Sequence, residues 1–399
     1  MKSFGLLPRV LVAIAVGIAI GSISPEWMIR GLATFNGLFG NFLGFVIPLI
    51  IIGFIAPGIG QLGKGAEKML GMTAGIAYGS TVTAGLLAFT AATILFPHML
   101  EEGSFARTME NPEEVLAQAY FTVDMPPVMG VMTALLLAFT IGLGMAAIKG
   151  DTLQNTMNEF RDIIEKLIAS VIIPLLPIHI LGIFANMTYG GAAAEILSVF
   201  IKVFAVVIAL HVLMIILQYT VTGTASGKNP FKMLRNMLPA YFTALGTQSS
   251  AATIPVTLRQ AKKNNFSEKV VDFVVPLSAT IHLSGSTITL VSTAMAVMML
   301  NGMEASFTTM LPFILMLGVT MIAAPGVPGG AVMAALGIME SMLAFDSTLL
   351  ALMIALYLAQ DSFGTACNVT GDGAIAGLVD KIQSARSGEQ IEENAVKAG

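Results

Sequence analysis

The sequence predicts an all-α polytopic membrane protein with eight transmembrane helices and two oppositely oriented re-entrant helical hairpins. Three observations carry this expectation. Charged residues make up 11% of the chain and hydrophobic ones 55%, against about 25% charged in a soluble domain, and the mean hydropathy is +0.83. Apolar runs long enough to cross a bilayer core of about 30 Å recur through the first half. Beyond residue 225 small, polar and proline-containing segments interrupt the runs twice, with opposite charge in their flanks.

The first run, 5–23, follows Met1, Lys2 and Ser3 without an Ala-x-Ala cleavage site and reads as a retained first span. Runs at 33–62, 69–96, 127–149, 163–188 and 195–223 supply the next five, several with length to spare for tilt. Lys2, Arg9, Lys64, Lys68, Lys149, Arg161, Lys166, Lys228, Lys232 and Arg235 fall on one side of these spans. The 97–126 connection instead carries Glu101, Glu102, Glu110, Glu113, Glu114 and Asp124. The positive-inside rule therefore puts the N-terminus in the cytoplasm and 97–126 outside.

Residues 229–258 have basic residues at both ends, Lys232 and Arg235 before and Arg259, Lys262 and Lys263 after. Their centre, Gly246-Thr-Gln-Ser-Ser-Ala-Ala, is small and polar, which suits a hairpin that enters and leaves on the cytoplasmic side. Irregular backbone at that depth is tolerated only where protein or a water-filled cavity covers it. Residues 267–302 then span outward through a polar break, Thr280-Ile-His-Leu-Ser-Gly-Ser286. Residues 306–342 repeat the hairpin from the other face around Ala324-Pro-Gly-Val-Pro-Gly-Gly330, with no Lys or Arg in their flanks. The last span, 347–383, returns to Lys381 and Arg386 inside, and 386–399 reads as a cytoplasmic tail, disordered from Ser387. Two interrupted segments in corresponding, inverted positions point to a secondary transporter with its site at the midplane.

Inside the last span, Asp361, Thr365, Asn368 and Asp372 follow at spacings of four, three and four, one polar stripe on an otherwise apolar helix. An ionised Asp at a helix centre costs about 2.5 to 3.5 kcal/mol on insertion scales, so two of them mark an ion or substrate site. Gly371, with Asn and Thr beside it, suggests an unwound turn whose freed carbonyls would join a carboxylate in a cation site. A protease reading is poor. Asp361 and Asp372 lie about 16 Å apart along a helix, too far to share a proton, and His282 and Ser284, two positions apart, point away from each other. Cys367, the single cysteine, excludes an internal disulfide and a thiolate metal cluster. The expected partners are a small molecule, cations and membrane lipids, with no nucleic acid and no cofactor.

These motifs resemble the glutamate transporter family, the dicarboxylate/amino acid:cation symporters. The residues that carry the resemblance are 361–372, Ser249-Ser-Ala-Ala-Thr-Ile-Pro255, Gly326-Val-Pro-Gly329 and Pro276-Leu-Ser-Ala-Thr-Ile281, in the family's order and spacing. The resemblance implies a homotrimer in a bacterial or archaeal cytoplasmic membrane, with N- and C-termini inside. Within it, scaffold spans 1–2 (residues 1–66) and 4–5 (127–190) hold a transport unit made of span 3 (67–96) and residues 191–385. That unit slides like an elevator, gated by the first hairpin from inside and the second from outside. It also implies that Asp361 holds a substrate ammonium, a charge-assisted pairing, and Asn368 the α-carboxylate. Backbone N–H groups at Ser249, Ser250, Val327 and Gly329 close on that carboxylate, and Thr365 and Ser286 line the site. Coupled sodium falls to Asp372, Asn368, Ser278, His282, Thr280, Ile322 and Ala324, oxygen ligation that suits a hard cation.

Departures from the family pattern set the substrate. Members that carry acidic substrates place an Arg where this chain has Gly364, or just before the first hairpin's serines, where it has Gln248. Arg259, at a hairpin end, is the one Arg between residues 236 and 385. A side-chain carboxylate without a cationic partner is disfavoured, so small neutral amino acids fit. The 361–372 stretch looks like that of the bacterial sodium/serine-threonine symporters. Ser362, Thr365 and Gln248 are candidate hydroxyl partners. Acidic substrates, or exchange of neutral amino acids, are the alternatives. Ser284 replaces a carboxylate that serves one sodium site in the family, so Tyr78 and Thr81 are expected to line nothing charged and fewer sodium ions to be coupled.

Overall fold

The computed structural model describes residues 6–62, 67–103, 117–191, 193–324, 326 and 328–398, and no strand occurs among them. The chain runs as α1 (Leu6–Ile23), α2 (Glu26–Leu62), α3 (Glu67–Met99), α4 (Val131–Ala147) and α5 (Thr152–Leu167). A π-helical turn, Ile168–Ile172, joins α5 to α6 (Ile173–Tyr189), and α7 (Ala193–Ser226) follows. Next come α8 (Pro230–Thr247), α9 (Ser250–Lys262), α10 (Glu268–Ile281), α11 (Ser284–Leu300), α12 (Phe307–Ile322), α13 (Gly330–Leu343) and α14 (Ser347–Ala398). Six stretches among the described residues are long and apolar enough to cross a membrane: Glu26–Gly60, Met69–Met99, Thr152–Tyr189, Ser198–Ser226, Glu268–Leu300 and Ser347–Ala385. Pro8–Ile23 and Leu136–Ala147 are shorter apolar helices. The fourth run is thus helical over less of its length than 127–149, because Pro126, Pro127 and Gly130 hold its start in extended backbone.

Local chemistry explains the breaks. Asn229 caps α8 by accepting from the Lys232 N–H, with Pro230 at the first helical position. Gln248 then takes a left-handed conformation (φ 54°) and Ser249 caps α9 by accepting from the Ala252 N–H at 3.2 Å. The turn between these antiparallel helices is therefore two residues long. α12 and α13 form a second such pair, with α12 ending at Ile322 and α13 starting after Gly329 at φ 75°. At about 1.5 Å per residue these four helices are about 20 to 27 Å long, shorter than a bilayer core. α10 and α11 are two halves of one rod, parted at His282 and Leu283, where the backbone turns extended.

The helices sort into two packed groups. α1, α2, α4, α5 and α6 pack on one another, while α3 and α7 to α14 surround α11 and the middle of α14. Small residues permit the closest approaches, as they do where lipid supplies no hydrophobic drive. Gly17-x-x-x-Gly21 lays α1 on α6, where a Cβ at Gly17 would stand 2.6 Å from the Leu181 carbonyl. At the centre of the second group Gly285 of α11 crosses Gly364 of α14 backbone to backbone, and a Cβ at Gly285 would meet the Cys367 Cβ at 2.6 Å. Residues 117–123 of the 97–126 connection lie along α2 and α6. There the Asn186 amide exchanges two hydrogen bonds with the Ala117 backbone, and Tyr120 stacks under the Arg30 guanidinium at 4.5 Å.

Two expectations are corrected. Residues 361–372 do not unwind; α14 runs unbroken through Asn368 and Gly371. Thr370 returns its hydroxyl to the Ala366 carbonyl, and the Thr370 and Ala374 carbonyls accept from Tyr219 and Thr222, so no turn is left open. Nor is 387–398 irregular: the backbone stays helical to Ala398, over a stretch rich in helix formers. The α11–α14 crossing gives a test. Gly285→Ala forces two backbones apart and should lower stability by about 1 to 3 kcal/mol, the usual cost of overpacking, read as an earlier thermal unfolding transition in detergent.

Candidate substrate and ion site

α14 brings the polar stripe to the middle of the second helix group, where Asp361, Asn368 and Asp372 each find a partner on another element. Asp361 is buried, and its Oδ2 accepts from the Gly329 N–H at the tip of the α12–α13 pair at 2.7 Å. Its Oδ1 lies 3.5 Å from Thr365 Oγ1. Asn368 caps α11 from outside: Oδ1 accepts from the Gly285 N–H at 2.7 Å while Nδ2 donates to Ser286 Oγ at 3.0 Å. That bond meets an orphan donor of the α11 N-terminus. Ser286 Oγ accepts from Tyr357 as well, at 3.0 Å.

The tips of the two helix pairs touch. Ser249 Oγ donates to the Gly326 carbonyl at 2.8 Å, Ser250 is buried behind it, and Gln248 is half-buried at the turn. Gly329 reaches Asp361 itself, an engagement the sequence reading had given to a substrate carboxylate. Gly364 is buried, and a Cβ there would stand 3.4 Å from the Ser286 N–H nitrogen, so the missing side chain faces the start of α11. Val327 lies outside the described residues. The hydrogen bonds that reach Asp361 among the described residues come from Gly329 and Thr365, neither of them cationic. Arg259 and Arg235 are exposed.

One turn further along α14, Asp372 is buried and pairs through Oδ1 with His282 Nδ1 at 3.0 Å, while Oδ2 has no partner. It is thus a side-chain nitrogen that His282 presents to Asp372. His282 Nε2 lies 3.0 Å from Ser80 Oγ and 3.2 Å from Gln218 Nε2. Gln218 also donates to Ser80 Oγ and Ser284 Oγ. Gly371 earns its place through this crowding and not through unwinding: a Cβ there would meet Gln218 Oε1 at 2.6 Å and His282 Cε1 at 2.7 Å. The Ser278 carbonyl accepts the His282 N–H at 2.9 Å, and its buried hydroxyl has no partner. Thr280 is exposed and returns its hydroxyl to the Leu277 carbonyl, away from Asp372, with Ile322 and Ala324 at the end of α12. Tyr78 donates to the Leu315 carbonyl and Thr81 Oγ1 is buried without a partner. No cluster of three or more His, Cys, Asp and Glu forms a metal site among the described residues.

A family model described as the sodium:dicarboxylate symporter family matches residues 6–382. The chain belongs to the sodium:dicarboxylate symporter family. Among curated relatives of this symporter-family chain is the serine/threonine transporter SstT of Enterococcus faecalis, 24% identical, the match covering 99% of this chain and 96% of that protein. Sequence reasoning missed three members of the site in this symporter. Tyr357 was marked only by its position one turn before Asp361, and Gln218 and Ser80 carried no motif on long apolar helices. The tip contact yields a prediction. Ser249→Ala removes both the tip bond to Gly326 and the cap bond from Ala252, together worth about 1 to 3 kcal/mol, so hydrogen–deuterium exchange over 247–252 and 324–330 should speed up by about five- to a hundredfold, with exchange across α11 unchanged.

Proposed function

We propose that this protein is a sodium-coupled symporter of small neutral amino acids, serine and threonine first and alanine behind them. One observation carries the reading: a buried carboxylate, Asp361, stands where the tips of both helix pairs converge, with no described guanidinium beside it. An α-ammonium finds its counter-charge there and the Asn368 amide answers the α-carboxylate, with the N–H groups at Ser249, Ser250, Val327 and Gly329 closing over it. Thr365, Ser286 and Gln248 line the site, and Gly364 leaves an acidic side chain without a positive partner. The name of the Enterococcus faecalis relative supports the same substrates.

Sodium is co-transported cargo. Asp372, Asn368, Ser278, His282, Thr280, Ile322 and Ala324 are its proposed ligands, and the unpartnered Asp372 Oδ2 is the oxygen left to receive a cation. The two helix pairs are re-entrant hairpins in this reading. The group α1, α2, α4, α5 and α6 is the scaffold of a homotrimer, and α3 with α7 to α14 is the unit that moves as an elevator. The loose seam between the groups supports that division. The protein sits in a cytoplasmic membrane with both termini inside.

Uptake of labelled serine by proteoliposomes, with and without a sodium gradient, tests the reading against unlabelled serine, threonine, alanine, aspartate and glutamate. Serine, threonine and alanine should compete and the acidic pair should not; strong inhibition by aspartate would overturn the argument from Gly364. Asp361→Asn should weaken serine binding about tenfold or more, the worth of a hydrogen bond to a charged group, in a protein that still folds. Asp372→Asn should shift the sodium titration to higher concentration, and superimposable titrations would count against its role as a cation ligand.

A further inference from the structure

α7 is fastened to α14 on both sides of Gly371. The Tyr219 hydroxyl donates to the Thr370 carbonyl at 2.8 Å, and Thr222 Oγ1 lies 3.1 Å from the Ala374 carbonyl and 2.9 Å from the carbonyl of Gln218. Gln218 belongs to that turn of α7, and its buried amide is wedged between α14 and the ring of His282. A Cβ at Gly371 would meet Gln218 Oε1 at 2.6 Å, Gln218 Nε2 at 3.0 Å and His282 Cε1 at 2.7 Å, so only glycine leaves room for both groups. Gln218 Nε2 faces Ser80 Oγ of α3 at 3.0 Å, Ser284 Oγ of α11 at 3.2 Å and His282 Nε2 at 3.2 Å, and with two hydrogens it serves two of them at a time. An amide nitrogen only donates. The ring nitrogen that faces it therefore accepts, and the ring proton sits on Nδ1, toward Asp372 Oδ1 at 3.0 Å.

The backbone has left the helix at His282, with φ −115° and ψ 98°, so the direction of its ring is set by what grips the two nitrogens. Asp372 grips Nδ1, while Ser80 and Gln218 grip Nε2 from two other helices. We propose that Gln218 is a positioning residue for the ion site, acting through His282. By holding the far nitrogen of the ring it commits Asp372 Oδ1 to the imidazole and leaves Oδ2, buried and without a partner, as the oxygen turned to the cation. This rests on the reading of Asp372 as a sodium ligand above. Groups that orient a ligating side chain change the affinity for a metal ion without touching it. A ring free to turn would engage either carboxylate oxygen and compete with the ion for Oδ2.

The test is thermal unfolding of the purified full-length protein over a range of sodium concentrations, with choline making up the ionic strength and no amino acid present. A ligand of the folded state raises the unfolding temperature by an amount set by its concentration relative to its dissociation constant, so a displacement of the curve along the concentration axis reads sodium affinity. Gln218→Met keeps the length of the side chain and removes both donors. It should displace the curve to about two- to tenfold higher sodium, the worth of one neutral hydrogen bond, and Gln218→Leu should do the same if the methionine variant does not fold. In a His282→Ala background either substitution should add no further displacement, because the amide acts only through the ring. A purely structural glutamine would lower the unfolding temperature equally at every sodium concentration, and that result overturns the proposal. So does a displacement of full size that persists without the imidazole. The two levels separate: a wild type that unfolds alike in sodium and in choline overturns the sodium reading and the role of Gln218 with it, whereas a sodium response displaced by Asp372→Asn but not by the Gln218 variants overturns Gln218 alone.

Discussion

Two carboxylates on one face of a buried helix must be satisfied by atoms from outside that helix, and the second helix group is arranged around that demand. Asp361 draws in the tip of the α12–α13 pair, Asp372 draws in the imidazole at the α10–α11 break, and Asn368 between them closes the N-terminus of α11. None of these contacts is local in sequence. An apolar environment strengthens each one and raises the cost of leaving any of them unmade. The helix breaks and hairpin turns are the means by which backbone N–H groups and a side chain from other elements reach the stripe.

That logic divides what the sequence disclosed from what it hid. Charge in the flanks and small polar centres were enough to anticipate both helix pairs and the break near His282, because such signals are local. The spacing from Asp361 to Asp372 likewise placed four residues on one face. Gly371 misled for a physical reason: glycine serves a bend and a close contact equally well, and only the neighbours that press on it tell the two apart. Here Gln218 and His282 press on it, from helices far away in the chain. Tyr357, Gln218 and Ser80 were silent in the sequence because a single polar residue on a long apolar helix has no pattern until its partner is known. The helical end of α14 was misread because polarity was taken for disorder, although the composition there also favours a helix.

The character of the pocket follows from subtraction as much as from what is present. With glycine at 364, glutamine at 248 and both Arg235 and Arg259 exposed, the carboxylates of the stripe meet an imidazole, a backbone N–H group and a hydroxyl, and no guanidinium among the described residues.

The crossing of Gly285 over Gly364 has a further consequence. Where side chains interdigitate, two helices can slip by changing rotamers, but a contact made by main chain alone has no such slack. α11 and α14 are therefore pinned like the two bars of a rivet, and deformation of the molecule is shunted to the looser, side-chain-filled borders around them. The residues carried by these two helices keep their mutual geometry, whatever the rest of the protein does.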